Sequence, residues 1–372
     1  MPDPDSPPSP LLLDGDGDGE GARASASAIR ATVAALPADG GDLGATIAAA
    51  VEIGDRRPQG VLATWELLAA VAARDVAMAR VLEPHLDALG ILEEARAAGI
   101  DVDLDAVGAG PASSWGVFAA ERPGVRLDAA DTAQGWVLTG TKPWCSLAAE
   151  LSHALVTAWV GPGERRLFAV SLRGPGVTAR PGPWHSRGLS EIVSAPVDFE
   201  GVRAVPVGEA GWYLRRPGFA HGGVGVAACW WGGAFPLRAA LLAAAAAERA
   251  DQLALMHLGR VDTALWAARA ALREAADVFD GAQRTARERS VAADDDDAIL
   301  QKHVAARART VVAGAVETVL TAAAHALGPL PLVADEEHAR RVADLQIYVR
   351  QHHAERDLAR VGADVVTAGG AW

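Results

Sequence analysis

The sequence predicts an α+β protein in which a β domain lies between an N-terminal helical domain and a C-terminal helical bundle. Three observations support this prediction. Apolar residues recur at helical spacing up to about residue 110. Short runs rich in β-branched and aromatic residues follow, and long alanine-rich stretches come after them. We therefore predict four regions: a tail over 1–27, a helical domain over 28–114, a β domain over 115–210 and a bundle over 211–372.

The N-terminal region combines a polar tail with a helical pattern. The first 27 residues are rich in Pro, Asp, Gly and Ser, a composition that predicts a disordered tail. Ile29, Val33 and Leu36 then begin apolar spacing typical of a helix. Pro37 and Pro58 interrupt the pattern, so several short helices are expected here.

The central region carries a short apolar run from Trp115 and five runs typical of strands. Gly140 is expected to form a turn after the first of the five. Short strands at this spacing favour a compact antiparallel barrel or sandwich. The five runs are Val137–Thr139, Ala154–Val160, Leu167–Leu172, Val177–Arg180 and Val193–Phe199.

The C-terminal region contains four long stretches with apolar or alanine-rich helical patterns. Four long helices in succession predict a bundle. The stretches are Ala239–Ala250, Val261–Gly281, Ala298–Leu327 and Glu336–Val361.

Composition excludes several classes of function. A net charge of -13 argues against nucleic acid as a partner. The two cysteines, Cys145 and Cys229, are too few for a disulfide framework or a cysteine-based zinc site, and we predict no metal site. The sequence shows no leader pattern and no run of about 18 uncharged apolar residues, so we expect a cytoplasmic protein without a membrane partner. Scarce lysine beside abundant Arg and Ala is typical of a GC-rich bacterial genome.

The segment from Gln134 to Ser146, QGWVLTGTKPWCS, is the most informative part of the chain. It resembles the Gly-x-Lys-x-Trp-Ile-Thr/Ser signature of the acyl-CoA dehydrogenase family of flavoproteins. The resemblance implies that this strand runs beside a flavin, that Trp144 shields one face of its ring and that Ser146 bonds its polar edge. A core tryptophan is the alternative interpretation of Trp144. Lys142, Ser146 and the flanking residues favour the flavin interpretation.

Other segments extend the resemblance over about residues 28–365, with departures. Phe118, Ala120 and Glu121 stand where the family has a strand ending in Thr-Glu-Pro, whose backbone faces the flavin. The family's Gly-Ser-Asp, whose Ser helps to hold the acyl-CoA, is Gly124-Val125-Arg126 in this chain. The resemblance also implies that the cofactor is FAD and makes three more residues candidates for binding it: Arg249, His325 and Gly328.

The last predicted helix bears on the chemistry. Counting from Asp344 places His352, with an uncertainty of one residue, where many family members have the Glu that takes the substrate α-proton. Histidine suits proton transfer near neutral pH, so His352 and His353 are the candidate catalytic residues. The alternative is that both belong to a polar helix face with i,i+4 pairs.

Three functions remain open from the sequence. The resemblance implies an FAD-dependent oxidoreductase that dehydrogenates an acyl thioester or related small acyl substrate. The second is a flavin monooxygenase or oxidase acting on a substrate without CoA, which the missing Gly-Ser-Asp and Glu favour. The third is a catalytically silent scaffold. The family resemblance also implies a homodimer or homotetramer, and the electron acceptor stays open.

Overall fold

The structure is a computed structural model that describes residues 20–37, 42–289 and 295–369. The described residues form eleven α-helices and seven β-strands. The helices are α1 (Glu20–Ala34), α2 (Leu43–Asp55), α3 (Val61–Arg74), α4 (Val76–Ala97), α5 (Trp212–Arg215), α6 (Gly218–Ala246), α7 (Gln252–Arg289), α8 (Asp295–Leu327), α9 (Leu330–Ala334), α10 (Glu336–Tyr348) and α11 (Glu355–Thr367). The strands are β1 (Trp115–Phe118), β2 (Leu127–Thr132), β3 (Gly135–Ser146), β4 (His153–Gly161), β5 (Glu164–Ser171), β6 (Val177–Ala179) and β7 (Ser194–Val207).

Aspartate side chains begin several of these helices. Asp42 Oδ1 accepts the N–H of Ala45 at 2.9 Å before α2, and Asp335 Oδ1 accepts the N–H of His338 at 3.0 Å before α10. Each side chain satisfies a backbone donor that has no partner within the helix, which fixes where the helix starts.

The chain divides into two compact units. The β unit consists of Pro37–Arg57 and Arg80–Gly222, and the helical unit consists of Met1–Leu36, Pro58–Ala79 and Gly223–Trp372. All seven strands belong to the β unit. The N-terminal helices are shared out between the two units, so the units do not coincide with the three predicted domains.

Five strands of the β unit close a ring. The hydrogen-bonded order is β4, β2, β3, β7 and β5, and β5 pairs with β4 again. Strand β1 adds to β4, and β6 adds to β7. The prediction of helices with a central sheet is confirmed. The prediction of a purely antiparallel sheet is wrong, because β4 runs parallel to both β1 and β2.

Gly140 is part of a strand and does not form the predicted turn. Strand β3 runs from Gly135 to Ser146 without a break, and Gly140 has φ +121° within it. A Cβ atom at Gly140 would lie 2.4 Å from the carbonyl oxygen of Arg126. Only glycine allows this backbone conformation and this approach of β2 to β3.

The β unit has its core between α4 and the ring. Ile91 and Ala95 of α4 are buried in one cluster with Leu155, Leu167 and Val205. Apolar burial of this kind is the main stabilising contribution to the unit. It also fixes the ring strands that position the candidate residues described below.

The helical unit packs α3, α6, α7 and α8 around tryptophans. Trp231 Nε1 donates to the carbonyl of Leu265 at 3.0 Å, and Trp65 meets Phe279 edge-on at 5.9 Å. Gly232 allows α6 to contact α3 closely, since a Cβ atom there would lie 2.1 Å from the oxygen of Ala69. The pair Trp230-Trp231 is therefore part of the core.

The structure differs from the sequence predictions in three further places: one helix start, one additional strand and one interrupted helix. Helix α1 begins at Glu20, within the predicted tail; residues 1–19 lie outside the described residues. Strand β2 was not predicted. The last predicted helix, Glu336–Val361, is interrupted: α10 ends at Tyr348, a 3-10 turn follows over Val349–Gln351, and α11 begins at Glu355.

The prediction about long apolar runs is also wrong. Helices α6 and α8 are long and apolar enough to cross a membrane by length and composition. The core helix of a soluble protein has the same properties, and Val224, Trp230 and Leu237 of α6 are buried in this structure. Burial inside the helical unit accounts for the apolar character of α6.

Candidate functional site

Trp144 occupies an unusual position near the end of β3. Its side chain is 53% exposed, whereas Cys145 beside it is buried. The register of β3 against β7 shifts between Lys142 and Cys145, so Trp144 lies in a β-bulge, and its φ is +59°. A bulky residue in the left-handed region costs about 1–3 kcal/mol, and such strain concentrates at functional sites. Neither burial nor backbone preference explains this tryptophan.

Ser146 lies on the same outward side of β3 as Trp144. Its Oγ is 2.7 Å from Oγ of Ser194 on β7, and it accepts a hydrogen bond from Nη2 of Arg80 at 3.0 Å. Arg80 is the first residue of the β unit on α4, and its guanidinium also lies 3.5 Å from the carboxylate of Glu83. The hydroxyls of Ser146 and Ser194 therefore form a pair that is bonded to the guanidinium of Arg80. Trp144, two residues earlier on the strand, is exposed.

Lys142 anchors the strand two residues before Trp144. Its side chain is 1% exposed, and Nζ donates to Oε1 of Glu121 at 2.6 Å and to Oγ1 of Thr157 at 2.8 Å. Burial lowers the pKa of Lys142, and the hydrogen bond and charge of Glu121 oppose that decrease. Glu121 also accepts from Arg165 at 3.2 Å. Glu121, a predicted cofactor residue, thus has a structural partner.

The other two predicted residues of this segment differ in exposure. Phe118 is buried at the end of β1 and pairs with Val156 of β4. Ala120 is exposed after the strand. Their predicted contact with a cofactor stays a prediction.

His352 lies in the helical unit, in the break between α10 and α11. Its side chain is 7% exposed, and Nε2 lies 3.2 Å from Oγ1 of Thr310 on α8. Burial lowers the pKa of His352 from its usual 6.5, and the nearby carboxylate of Asp357 opposes this. The imidazole is therefore neutral at pH 7 and able to accept a proton.

His353 differs from its neighbour because its ring is exposed. Its backbone N–H donates to Oδ2 of Asp357 at 2.9 Å, and its Nδ1 lies 3.7 Å from the same oxygen. The i,i+4 pairing that the sequence offered as an alternative thus exists for His353, at the first turn of α11.

The three remaining predicted residues lie at or just after the ends of helices α6 and α8. Arg249 is exposed after α6 and makes no hydrogen bond or ion pair with any residue that the structure describes. His325, in the last turn of α8, has its ring 6.1 Å from that of His257. Gly328 follows α8 with φ +66°.

Sequence reasoning missed three residues of these clusters: Arg80, Ser194 and Thr310. Ser194 has no signal except its strand register opposite Ser146. Arg80 and Thr310 are ordinary helical residues in the sequence, and only the packed structure brings them to Ser146 and His352.

No protein-family model and no curated protein sequence matches this chain. Solved structures do match it over nearly all its length. A structure of KijD3 in complex with FMN and dTDP-3-amino-2,3,6-trideoxy-4-keto-3-methyl-D-glucose is 18% identical, with a TM-score of 0.75 over 97% of both chains. A nitrososynthase from Micromonospora carbonacea var. africana is 18% identical, with a TM-score of 0.74 over 95% of this chain and 99% of the other.

A third match is dibenzothiophene monooxygenase (TdsC) from Paenibacillus sp. A11-2. It is 18% identical, with a TM-score of 0.69 over 91% of this chain and 93% of the other. A further structure of TdsC is FMN-bound. Identities this low show that the fold is shared, and function has to be argued from the site.

Proposed function

We propose that this protein is a flavin-dependent oxidoreductase. Trp144 carries the proposal, because an indole that is 53% exposed on left-handed backbone is unexplained without a ligand. The hydroxyl pair and Arg80 beside it offer polar groups next to a flat apolar surface. Solved structures with the same fold that contain FMN support the same proposal.

The chemistry of the groups in the β unit fits a flavin ring. Trp144 would pack against the face of the ring, and Ser146 and Ser194 would hydrogen-bond its polar edge. Arg80, through its bond to Ser146, would favour negative charge at that edge. A flavin held here would supply two-electron chemistry, and the protein would supply binding, orientation and proton transfer.

We propose FMN in preference to the FAD that the sequence resemblance implies. FAD needs additional contacts for a diphosphate and an adenosine. The family's Phe-Gly after the diphosphate arginine is absent after Arg249 in this chain. The KijD3 and TdsC structures, which were solved with FMN, support the same preference.

We further propose that the reaction uses oxygen and a substrate without CoA. The segment Gly124-Val125-Arg126 lacks the hydroxyl of the family's Gly-Ser-Asp. Arg126 instead bonds Asp128 at 2.6 Å and lies 4.8 Å from the ring centre of Trp159. The nitrososynthase and the monooxygenase among the matching structures support this choice over acyl dehydrogenation.

His352 is the proposed proton-transfer residue. It is buried and neutral at pH 7, with a hydroxyl at one ring nitrogen and a carboxylate nearby. A neutral imidazole takes a proton from a substrate and returns it later. We keep a homo-oligomeric, cytoplasmic protein as part of the proposal.

A flavin titration tests the proposed function. The protein is titrated with FMN, FAD and riboflavin, and quenching of flavin fluorescence gives a dissociation constant for each. We expect the tightest binding for FMN and a visible flavin spectrum that survives gel filtration. A protein that binds none of the three would contradict the proposal and leave the scaffold as the better interpretation.

Oxygen uptake then separates the two reactions. The protein loaded with reduced FMN is mixed with aerated buffer, and flavin reoxidation is followed by absorbance against free reduced FMN. We expect the protein to change the reoxidation rate. Unchanged reoxidation, together with reduction of the bound flavin by an acyl-CoA, would favour a dehydrogenase.

A further inference from the structure

Counting hydrogens decides whether the hydroxyl of Thr310 donates or accepts in each of its two hydrogen bonds. Thr310 Oγ1 lies 2.8 Å from the carbonyl oxygen of Ala306, one turn earlier on α8, and 3.2 Å from Nε2 of His352. A threonine hydroxyl has one proton and two lone pairs. A carbonyl only accepts, so the bond to Ala306 uses the proton of Thr310. The hydroxyl can then only accept from His352.

The opposite arrangement makes fewer hydrogen bonds. If Thr310 donated to Nε2, the proton of the neutral imidazole would be on Nδ1. Among the residues that the structure describes, Nδ1 of His352 has no hydrogen-bond partner. That arrangement makes one hydrogen bond, from Thr310 to His352. The first arrangement makes two, from Thr310 to Ala306 and from His352 to Thr310. Partly buried polar groups favour the arrangement with more hydrogen bonds.

The charge distribution supports the same assignment. Oδ2 of Asp357 lies 4.0 Å from Nε2, too far for a hydrogen bond but close enough for electrostatic attraction. A carboxylate on this side favours the proton on Nε2. Asp357 is itself held by the backbone N–H of His353 and by Arg360 at 2.7 Å.

We infer that Thr310 fixes His352 as the Nε2–H tautomer and thereby makes Nδ1 the atom that accepts a proton. Thr310 is a positioning residue, and its use in a reaction rests on the proposed function. When Nδ1 takes the proton, the imidazolium keeps its Nε2–H directed at Thr310 and faces the carboxylate of Asp357. The same logic orients a catalytic histidine in other enzymes, where the group at one nitrogen decides which nitrogen reacts.

Other charges face His352 and are untouched by a change at Thr310. Glu317 on α8 acts on the pKa of His352 in the same direction as Asp357, whereas Arg309 and Arg350 lower it. Arg350 pairs with Glu317, and Arg309 donates to the carbonyl of Gln351 at 3.3 Å. A substitution at position 310 therefore tests the hydrogen bond against a constant set of charges.

The test is an NMR pH titration of the full-length protein with isotope-labelled histidine. H352Q assigns the His352 signals by their disappearance. In the unsubstituted protein above the titration range, we expect Nε2 to have the nitrogen shift of a protonated ring nitrogen and Nδ1 that of an unprotonated one. The reverse pattern would overturn the inference directly.

The variants then test Thr310 by the sign of a pKa change. In T310V and T310A the acceptor for Nε2–H is lost. This loss destabilises the protonated form of His352 more than the neutral form. We expect the pKa of His352 to fall by about half a unit to one unit. T310S keeps the hydroxyl and should match the unsubstituted protein. T318V is the matched control, because Thr318 bonds Gly314 on α8 in the same way at 2.8 Å but is exposed.

Each outcome decides the inference. A rise in the pKa of His352 in T310V and T310A would mean that Thr310 donates to Nε2, and an unchanged pKa would mean that the bond does not matter; both overturn it. T310S provides the comparison if the valine variant folds poorly. The titration needs no flavin, so a protein that fails to bind FMN would contradict the proposed function but not the tautomer.

Discussion

Trp144 in the β unit and His352 in the helical unit are held in opposite ways. Trp144 is 53% exposed on strained backbone, and its indole makes no hydrogen bond or ring contact with the residues that the structure describes. His352 is buried, and a hydroxyl and a carboxylate determine the state of its ring. The proposed flavin would account for the first arrangement, whereas the contacts of the second lie within the helical unit.

The difference indicates which property each residue controls. Replacing Trp144 should change ligand affinity and leave the fold intact, because few native contacts are lost. Replacing the polar partners of a buried group should change stability or a pKa and leave affinity nearly intact. The four predictions below test this division, from the largest expected effect to the smallest.

Glu121→Ala should destabilise the protein by about 3 kcal/mol, because it leaves the buried ammonium of Lys142 without its carboxylate. Urea unfolding monitored by circular dichroism measures the change. Lys142→Met is the matched variant. It should cost less, since Glu121 is partly exposed and keeps Arg165. Equal stability of Glu121→Ala and the unsubstituted protein would contradict the anchoring role.

Acid should destabilise the β unit through His85. Burial lowers the pKa of His85 to about 4, and its Nδ1 accepts the N–H of Trp115 at 3.2 Å. Because the folded pKa lies below the unfolded value of 6.5, the unfolded chain binds more protons between these values. Stability is therefore full above pH 6.5 and lost as the pH falls towards 4, by on the order of 2 kcal/mol from this group.

The variant His85→Asn keeps an acceptor near the position of Nδ1 but does not titrate. Its unfolding free energy should fall less between pH 6.5 and pH 4.5 than that of the unsubstituted protein. Parallel curves for the two proteins would show that His85 contributes nothing to acid sensitivity.

Trp144→Ala should weaken FMN binding by on the order of tenfold to a hundredfold, the range expected from losing one aromatic stacking partner. Unfolding stability should be nearly unchanged, since the indole is 53% exposed and alanine keeps the Cβ atom, so the backbone at φ +59° stays as strained as before. Trp266→Ala is the control, because Trp266 is 67% exposed on α7 in the other unit. Equal FMN affinity of Trp144→Ala and the unsubstituted protein would remove the observation that carries the proposed function.

Arg80→Gln should weaken binding of reduced FMN, which is anionic, by about threefold to tenfold more than binding of oxidised FMN. Anaerobic fluorescence and absorbance titrations measure both constants. Arg173→Gln, in a side chain that bonds the carbonyl of Ala149 at 2.6 Å, is the control. Glu83→Gln should change the ratio in the opposite direction, because Glu83 offsets the charge of Arg80. If neither substitution changes the ratio of the dissociation constants for reduced and oxidised FMN, Arg80 does not act on the flavin.

The sequence predicted much of the β unit because its signals are local. The segment from Lys142 to Ser146 lies within one strand, so the sequence spacing of its residues determines how they are placed relative to one another. Strand β2 was not predicted because LDAADT has few β-branched or aromatic residues. Its formation depends on pairing with β3. Gly140 was misjudged as a turn because its real constraint, the carbonyl of Arg126, is distant in sequence.

The helical unit was harder to predict for a physical reason. Alanine-rich helices give little information about which face packs, and the break at His352 depends on packing that the helical pattern does not show. Thr310 bonds Ala306 as many helical threonines do. Its second contact, to His352, arises only when α8 and the break are brought together.

The burial of Lys142 allows opening of the β unit to be measured by chemical modification of this side chain. The chain has two lysines, and Lys302 is 72% exposed whereas Lys142 is 1% exposed. An amine-reactive reagent should therefore modify Lys302 at once and Lys142 only when the β unit opens. The rate of the second modification, followed by mass spectrometry, would report how often that opening occurs, at single-residue resolution and without an added probe.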